Sequence, residues 1–347
     1  MITHSSPSLS CDILSEIKDV LHTKMIAQGQ VVELFEQQIS KYIGGRSTIC
    51  VGSGTAAIQL SLKALKVGIG DEVILPTLVC RNVLEAVLSN GSTPVLCDVG
   101  DNWVVTYDTV KQCVTRKTKV IIVPHLYGIK VDIQTINKIG IPIIEDCAQA
   151  FGRTIDNIRI GNEGDLAVFS FHATKCLTTG EGGAVMVNSN NKLLIRRLFQ
   201  LRDGGNELSR RIFSPMSNIS AAIGIVQLRK YDYFLKKRFE LARLYNRFFK
   251  NKNDVQTLDN KKNSSMYFRY VVKTRRTFSS NAKKFEKEGI VVRRGVDLLL
   301  HHLIGKKAYE FKNADFLFNH TISLPIYPAL KQKEIRCICR AINNVFV

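Results

Sequence analysis

Apolar residues along the chain alternate between two kinds of segment. From about residue 47 to 200, short runs rich in Val and Ile are separated by stretches whose apolar positions recur at helical spacing. The strand-like runs are STICVGSG at 47–54, DEVILP at 71–76, TPVLCDV at 93–99, TKVIIVPHLYG at 118–128, IPIIEDCAQA at 141–150, DLAVFSFHA at 165–173 and GGAVMVNS at 182–189. Between them the spacing predicts helices over 55–68, over 81–91 with Gly91 as the stop, near 108–116, over 133–140 and over 192–201. Continuous Val/Ile runs joined by helices predict a mostly parallel sheet covered on both faces, a doubly wound α/β domain. Residues 217–250 read as one long helix, AAIGIVQL leading into a Lys/Arg/Tyr-rich stretch. Beyond 250 the pattern changes to a strand at 266–274, a helix ending at Gly289 and a terminal helix at 333–342. The expected division is a large domain over 1–230, with an N-terminal helical segment, and a smaller α+β domain over 231–347.

Composition narrows the setting. The 347 residues are 45% hydrophobic with only 8 Pro, ample for a buried core and unlike a disordered chain. No apolar run approaches the roughly 18 to 20 residues that span a bilayer, and the N-terminus lacks a basic start before an apolar stretch. The expectation is a soluble, cytoplasmic protein with no membrane partner. Nine cysteines, an odd number with no CxxC, read as reduced thiols, and no metal site is expected. Lys+Arg 49 against Asp+Glu 30 gives +19. Such a charge attracts anions, or is simply a solvated basic surface. The basic residues are scattered, with no zinc-finger or RNA-binding signature, so no nucleic-acid partner is expected.

Ligands of open α/β sheets bind beyond the carboxyl ends of the strands, and four segments fall there. Gly52-Ser53-Gly54-Thr55 joins a strand to a helix, where free N–H groups suit a phosphate; Thr55 as an ordinary N-cap explains it as well. Glu145 and Asp146 close an apolar strand, where carboxylates are expensive to bury unless a cation meets them; a solvated strand end is the alternative. Ser170 and Lys175 follow the run DLAVF, the serine suited to a phosphate and the lysine to a Schiff base with a carbonyl, or else to an exposed loop. His172 between them carries no assigned role. Thr179-Gly180-Glu181-Gly182-Gly183 is a tight turn whose glycines free the backbone to wrap a cofactor, or a plain hairpin. Taken in order, these are the parts of pyridoxal-phosphate catalysis: a phosphate cradle, a carboxylate for the pyridine nitrogen and a lysine for the aldehyde.

The chain resembles the DegT/DnrJ/StrS family of sugar aminotransferases, through FEQQISKYIG, GSGTAAIQLSLKAL, GDEVILPT, VPHLYG, EDCAQAFG, FSFHATKCLTTGEGG and SLPIYP. The resemblance implies the fold type I architecture of aspartate aminotransferase and pyridoxal 5'-phosphate as cofactor. It implies that Lys175 bonds the cofactor and moves the substrate proton, and that Asp146 keeps the pyridine nitrogen protonated. Gln149 contacts the phenolic-oxygen side of the ring, and Ser170 with Gly54 and Thr55 holds the phosphate. It also implies a homodimer that takes nitrogen from an amino donor, glutamate, and delivers it to the keto group of a nucleotide-activated sugar.

Two departures stand out. The family places an aromatic residue on the pyridine ring where this chain has Cys80, and an Asn and an Arg ahead of Met216 where this chain has Phe213 and Pro215, with Arg210, Arg211 or Ser214 as substitutes. The rival readings are a sugar dehydratase, a non-sugar aminotransferase and a non-catalytic binding protein on this fold. Related dehydratases carry histidine in place of the lysine, and position 175 is lysine here.

Overall fold

A computed structural model describes residues 1–44, 46–155, 158–204, 215–258 and 265–346. Its larger sheet is built from β1 (Ser47–Val51), β2 (Glu72–Pro76), β3 (Thr93–Cys97), β4 (Thr118–Pro124) and β5 (Ile143–Asp146); after a small hairpin of β6 (Thr154–Ile155) and β7 (Ile158–Arg159), it is completed by β8 (Leu166–Ser170) and β9 (Gly183–Val187). The order is β1-β9-β8-β5-β4-β2-β3. All pairings from β8 to β3 are parallel, and β9 runs antiparallel between β1 and β8. The fold is therefore the α/β architecture that the strand–helix alternation predicts. Pro94 is tolerated because β3 is an edge strand, where its missing N–H breaks no ladder.

Successive residues of a strand face opposite sides, and here each side has its own core. Ile49, Val51, Leu166, Val168, Val185 and Val187 face one apolar cluster; Cys50, Ala167, Phe169, Ala184 and Met186 face the other. Helix Gly54–Ala64 covers the first face, and helices Gln30–Ile43 and Asn218–Arg229 the second. That double cover is why these strands read as unbroken apolar runs rather than alternating ones.

The single helix expected over 217–250 is two, Asn218–Arg229 and Tyr231–Phe249. Lys230, with φ −101° and ψ 1°, leaves the helical region and serves as the last cap of one and the first of the next. An antiparallel sheet of β10 (Val255–Thr257), β11 (Tyr270–Thr274) and β12 (Thr321–Leu324) packs with helices Tyr231–Phe249, Phe278–Lys287 and Gln332–Val345 around a third apolar cluster. Val296, Leu299, Leu300, Phe311, Ala314 and Leu317 join the first cluster instead, so this part of the chain also seals the large sheet. No helix among the described residues is long and apolar enough to cross a membrane.

Candidate active site

The site follows from strand register. Gly183, the first residue of β9, pairs with Val51 on one side and Ser170 on the other, so the turn after β1 and the end of β8 are held at one level. A side chain at 183 would overlap the Ser53 carbonyl, and glycine is what lets the turn close. A Cβ on Gly54 would lie 2.8 Å from the Cβ of Ser170 and 3.1 Å from its Oγ. The first turn of helix Gly54–Ala64 is thereby pressed against the Ser170 hydroxyl, with its N–H groups at the positive end of the helix. Ser53 caps this helix, its Oγ accepting from the Ala56 N–H at 3.1 Å. Thr55 is not the cap: it lies inside the first turn, where its Oγ accepts a 3.4 Å bond from Asn82 Nδ2. The Ser170 hydroxyl is partly exposed and makes no hydrogen bond among the described residues.

Asp146 ends β5 in register with Val168 of β8, which carries it to the same edge. It is buried; one oxygen accepts from the Ala148 N–H at 3.0 Å, and the other has no hydrogen-bond partner among the described residues. Burial pushes its carboxyl above the ordinary carboxylate range, opposed by that N–H and by the charge of Lys175. Lys175 sits in the tight connection from β8 to β9, where its N–H donates to the His172 carbonyl at 2.8 Å and the Phe171 N–H to Gly182 O at 2.8 Å. Its amine keeps partial solvent access in a crowded cleft, 5.1 Å from the centre of the Phe268 ring. Burial lowers the amine's pKa, and Asp146 opposes the shift. The two feel each other's charge without closing to ion-pair distance, which leaves a gap between a cation and an acid.

Gln149, three residues past Asp146, accepts from the Tyr127 N–H at 2.8 Å through its Oε1. Tyr127 holds the left-handed backbone at φ 58° that this anchor steadies. Cys80 is exposed, caps helix Arg81–Ser89 and lies near Lys175, its thiol donating to Asn82, which in turn bonds Thr55, so position 80 borders the same cleft. Pro215 forms an antiparallel bridge with Val51, close to the Gly54 turn. Phe213, Arg210, Arg211 and Ser214 lie outside the described residues.

The sequence did not single out three further residues. His125 holds Glu145 in the interior, so the adjacent acids of 145–146 split into one satisfied internally and one aimed at the cleft. Phe268 and Arg269 line the same cleft from the segment before β11. The available signal was Arg269 itself, a charge inside the apolar run MYFRYVV.

A model of the DegT/DnrJ/EryC1/StrS aminotransferase family matches residues 7–343. GDP-perosamine synthase of Vibrio cholerae is 28% identical over 370 residues, covering 100% of this chain and 99% of that protein. The enzyme of the same name from Escherichia coli O157:H7 is 29% identical, with coverage of 98% and 97%. Among solved structures, the aminotransferase TlmJ of Streptoalloteichus hindustanus superposes with a TM-score of 0.92 at 25% identity, covering 99% of this chain and 98% of that one. Spr1654 of Streptococcus pneumoniae, assigned as a sugar aminotransferase and solved in its PLP form, gives 0.91 at 26% identity, with coverage of 99% and 97%.

Proposed function

The chain belongs to the DegT/DnrJ/EryC1/StrS aminotransferase family, and we propose that it moves an amino group from glutamate to the keto group of a nucleotide-activated sugar. The cofactor is pyridoxal 5'-phosphate. The residues present fit it: a glycine-built cradle against a serine hydroxyl that no described residue bonds, and a gap between a lysine amine and an acid with one oxygen unbonded among the described residues. When bound, the cofactor supplies an electrophilic aldehyde and a ring that spreads the charge left by proton removal.

In this reading Ser170, with the N–H groups of Gly54 and Thr55, binds the phosphate. Asp146 holds the proton on the pyridine nitrogen, and Gln149, its oxygen tied to Tyr127, turns its amide N–H toward the phenolic oxygen. Lys175 takes and returns the proton at the substrate carbon that exchanges its amine. An amine lowered by burial is the better base near neutral pH, while Asp146 keeps it from falling too far. Glu145, saturated by His125 and backbone donors, fixes the strand end that presents Asp146.

The sugar comes from the relatives, and the nucleotide from the charge of +19, which suits a substrate carrying phosphates. We further assign a homodimer, supported by the exposed apolar side chains Leu9, Leu14, Leu21, Met25, Ile26 and Leu34 at the N-terminal end, and a cytoplasmic location. The single observation that carries the reading is the meeting of Gly54, Ser170, Asp146 and Lys175 at one sheet edge. Its test is the ultraviolet–visible spectrum of the purified protein with pyridoxal phosphate, before and after glutamate. A visible band that gives way to a shorter-wavelength one on adding glutamate is expected. Absence of any visible band at saturating cofactor overturns the reading and brings the binding-protein alternative forward.

A further inference from the structure

Arg269 stands just before β11, and the described residues leave most of its guanidinium donors unused. Among the described residues the buried Nε has no hydrogen-bond partner, Nη1 makes only a long 3.4 Å bond to the Arg294 carbonyl, and Nη2 makes none. No carboxylate lies within ion-pair distance of it among the described residues. The acid that does act on it, Asp297, is exposed, and the cations Arg293 and Lys175 act in the opposite sense. An arginine left in such a place for structure alone is costly, since a buried donor without an acceptor forfeits its hydration.

Its position says what would complete it. The Phe268 ring carries both cationic heads, Lys175 Nζ at 5.1 Å from the ring centre and Arg269 Cζ at 5.7 Å. Tyr127 is buried close by. Its hydroxyl sits where a side chain on Gly295 would be, and it feels the Arg269 charge without a hydrogen-bond partner among the described residues. Cys80, at the rim, lies near both Lys175 and Arg269. The cleft thus offers, beside the reacting amine, a forked donor and a phenol with no carboxylate at bonding distance among the described residues.

We propose that Arg269, assisted by the Tyr127 hydroxyl, is the oxyanion anchor of this cleft, holding a carboxylate or phosphate of the substrate beside Lys175. The planar fork of arginine suits either group, by paired N–H bonds. The two sources are the carboxylate of the amino donor and the phosphates of the acceptor. This inference rests on the functional reading above, and it adds a residue that binds substrate rather than cofactor.

The test uses the full chain loaded with pyridoxal phosphate, comparing wild type with Arg269→Gln and Arg269→Lys. The two half-reactions are followed separately by the cofactor's absorbance. The expected result is an unchanged visible band before substrate, with a roughly 10- to 100-fold rise in the substrate concentration giving half-maximal rate, partly restored by lysine. A rise confined to the glutamate half-reaction identifies the donor carboxylate; one confined to the keto-sugar half-reaction identifies the phosphate. Equal half-maximal concentrations in both, or a loss of rate alone, overturns the proposal. Calorimetry with glutarate, a dicarboxylate without an amine, and separately with inorganic pyrophosphate adds a readout that needs no turnover. Binding of either that is lost in Arg269→Gln supports the anchor; equal binding of both probes by the two proteins refutes it. Should wild type form no visible band, the aminotransferase reading fails, while the calorimetry on the cofactor-free chain still decides the anion site.

Discussion

His125 Nε2 meets Glu145 Oε2 at 2.8 Å with both side chains fully buried, one residue before the acid that faces the cleft. The geometry fixes the tautomer: the Val131 N–H donates to His125 Nδ1 at 3.2 Å, so the ring proton sits on Nε2 and is donated to Glu145. Glu145 also accepts from the N–H groups of Gly161, Glu163 and Gly164 at 3.1, 2.8 and 2.6 Å. The carboxylate is thus saturated and serves as a clamp between the end of β5 and the loop before β8.

Breaking this clamp should unfold the site before it alters the chemistry. Glu145→Ala leaves His125 and three buried N–H groups without an acceptor, an expected loss of about 3–5 kcal/mol. The thermal midpoint measures it. The pH dependence has a definite sign. Burial alone would raise the Glu145 carboxyl, yet the bonds from His125 and the backbone hold it below its ordinary range. Its contribution is therefore complete above the ordinary glutamate range and is lost as pH falls through the lowered value. The acid side of the stability profile should flatten in Glu145→Gln.

Lys175→Ala should abolish both turnover and the visible cofactor band while leaving the thermal midpoint of the cofactor-free chain nearly unchanged. Sustained multiple turnover in that variant would exclude Lys175 as the proton carrier.

Asp146→Asn tests the coupling across the gap. The negative charge at 146 raises the Lys175 pKa against the lowering by burial. Removing it should let the amine lose its proton at lower pH. The rate of pyridoxal-phosphate capture, plotted against pH, should rise at lower pH than in wild type, although turnover falls with loss of the ring-nitrogen partner. An unshifted capture profile would mean that the two groups do not communicate.

The phosphate cradle makes a graded prediction. Ser170→Ala removes one hydrogen bond to an anion, worth roughly 1.5–3 kcal/mol, or about a 10- to 100-fold loss of cofactor affinity. Gly54→Ala should weaken it further, because the added methyl stands 2.8 Å from the Ser170 Cβ and pushes the helix terminus away. Equilibrium titration of cofactor absorbance gives both constants, and affinity unchanged in Gly54→Ala would show that the cradle lies elsewhere.

Cys80→Phe asks whether the ring-stacking aromatic of the family can be restored. Position 80 faces the Lys175 cleft and its side chain is exposed. A ring there should slow cofactor release by about 2- to 10-fold, the range expected of one aromatic stacking contact. Faster release would place the cofactor ring away from residue 80.

Much of this protein was decided locally. Apolar runs such as TKVIIVP are short, rich in β-branched residues and bounded by turn signals, which favours strands buried on both faces, and the helical segments between them supply the cover, so the α/β class follows from the chain itself. The blocks EDCAQAFG and FSFHATKCLTTGEGG were enough to indicate the family and its cofactor. Short-range pattern failed where a single backbone angle mattered. It joined the helices on either side of Lys230, because nothing in the polarity of that residue records its departure from helical geometry. It offered Thr55 as the helix cap where Ser53 takes that place, since both are good capping residues and only the path of the turn chooses between them.

The tertiary structure decided which residues meet. Glu145 and Asp146 are neighbours of the same chemistry, and a strand sends them to opposite faces, one to His125 and one to the cleft. Gly54 and Ser170 touch only because β9 inserts antiparallel between β1 and β8 and sets their ends level. Arg269 approaches Lys175 from a segment more than ninety residues further along the chain. Chain composition and periodicity fix which elements form, because those are contests between near neighbours in water. Contacts across the sheet depend on strand order and register, and these are settled when the whole core packs at once.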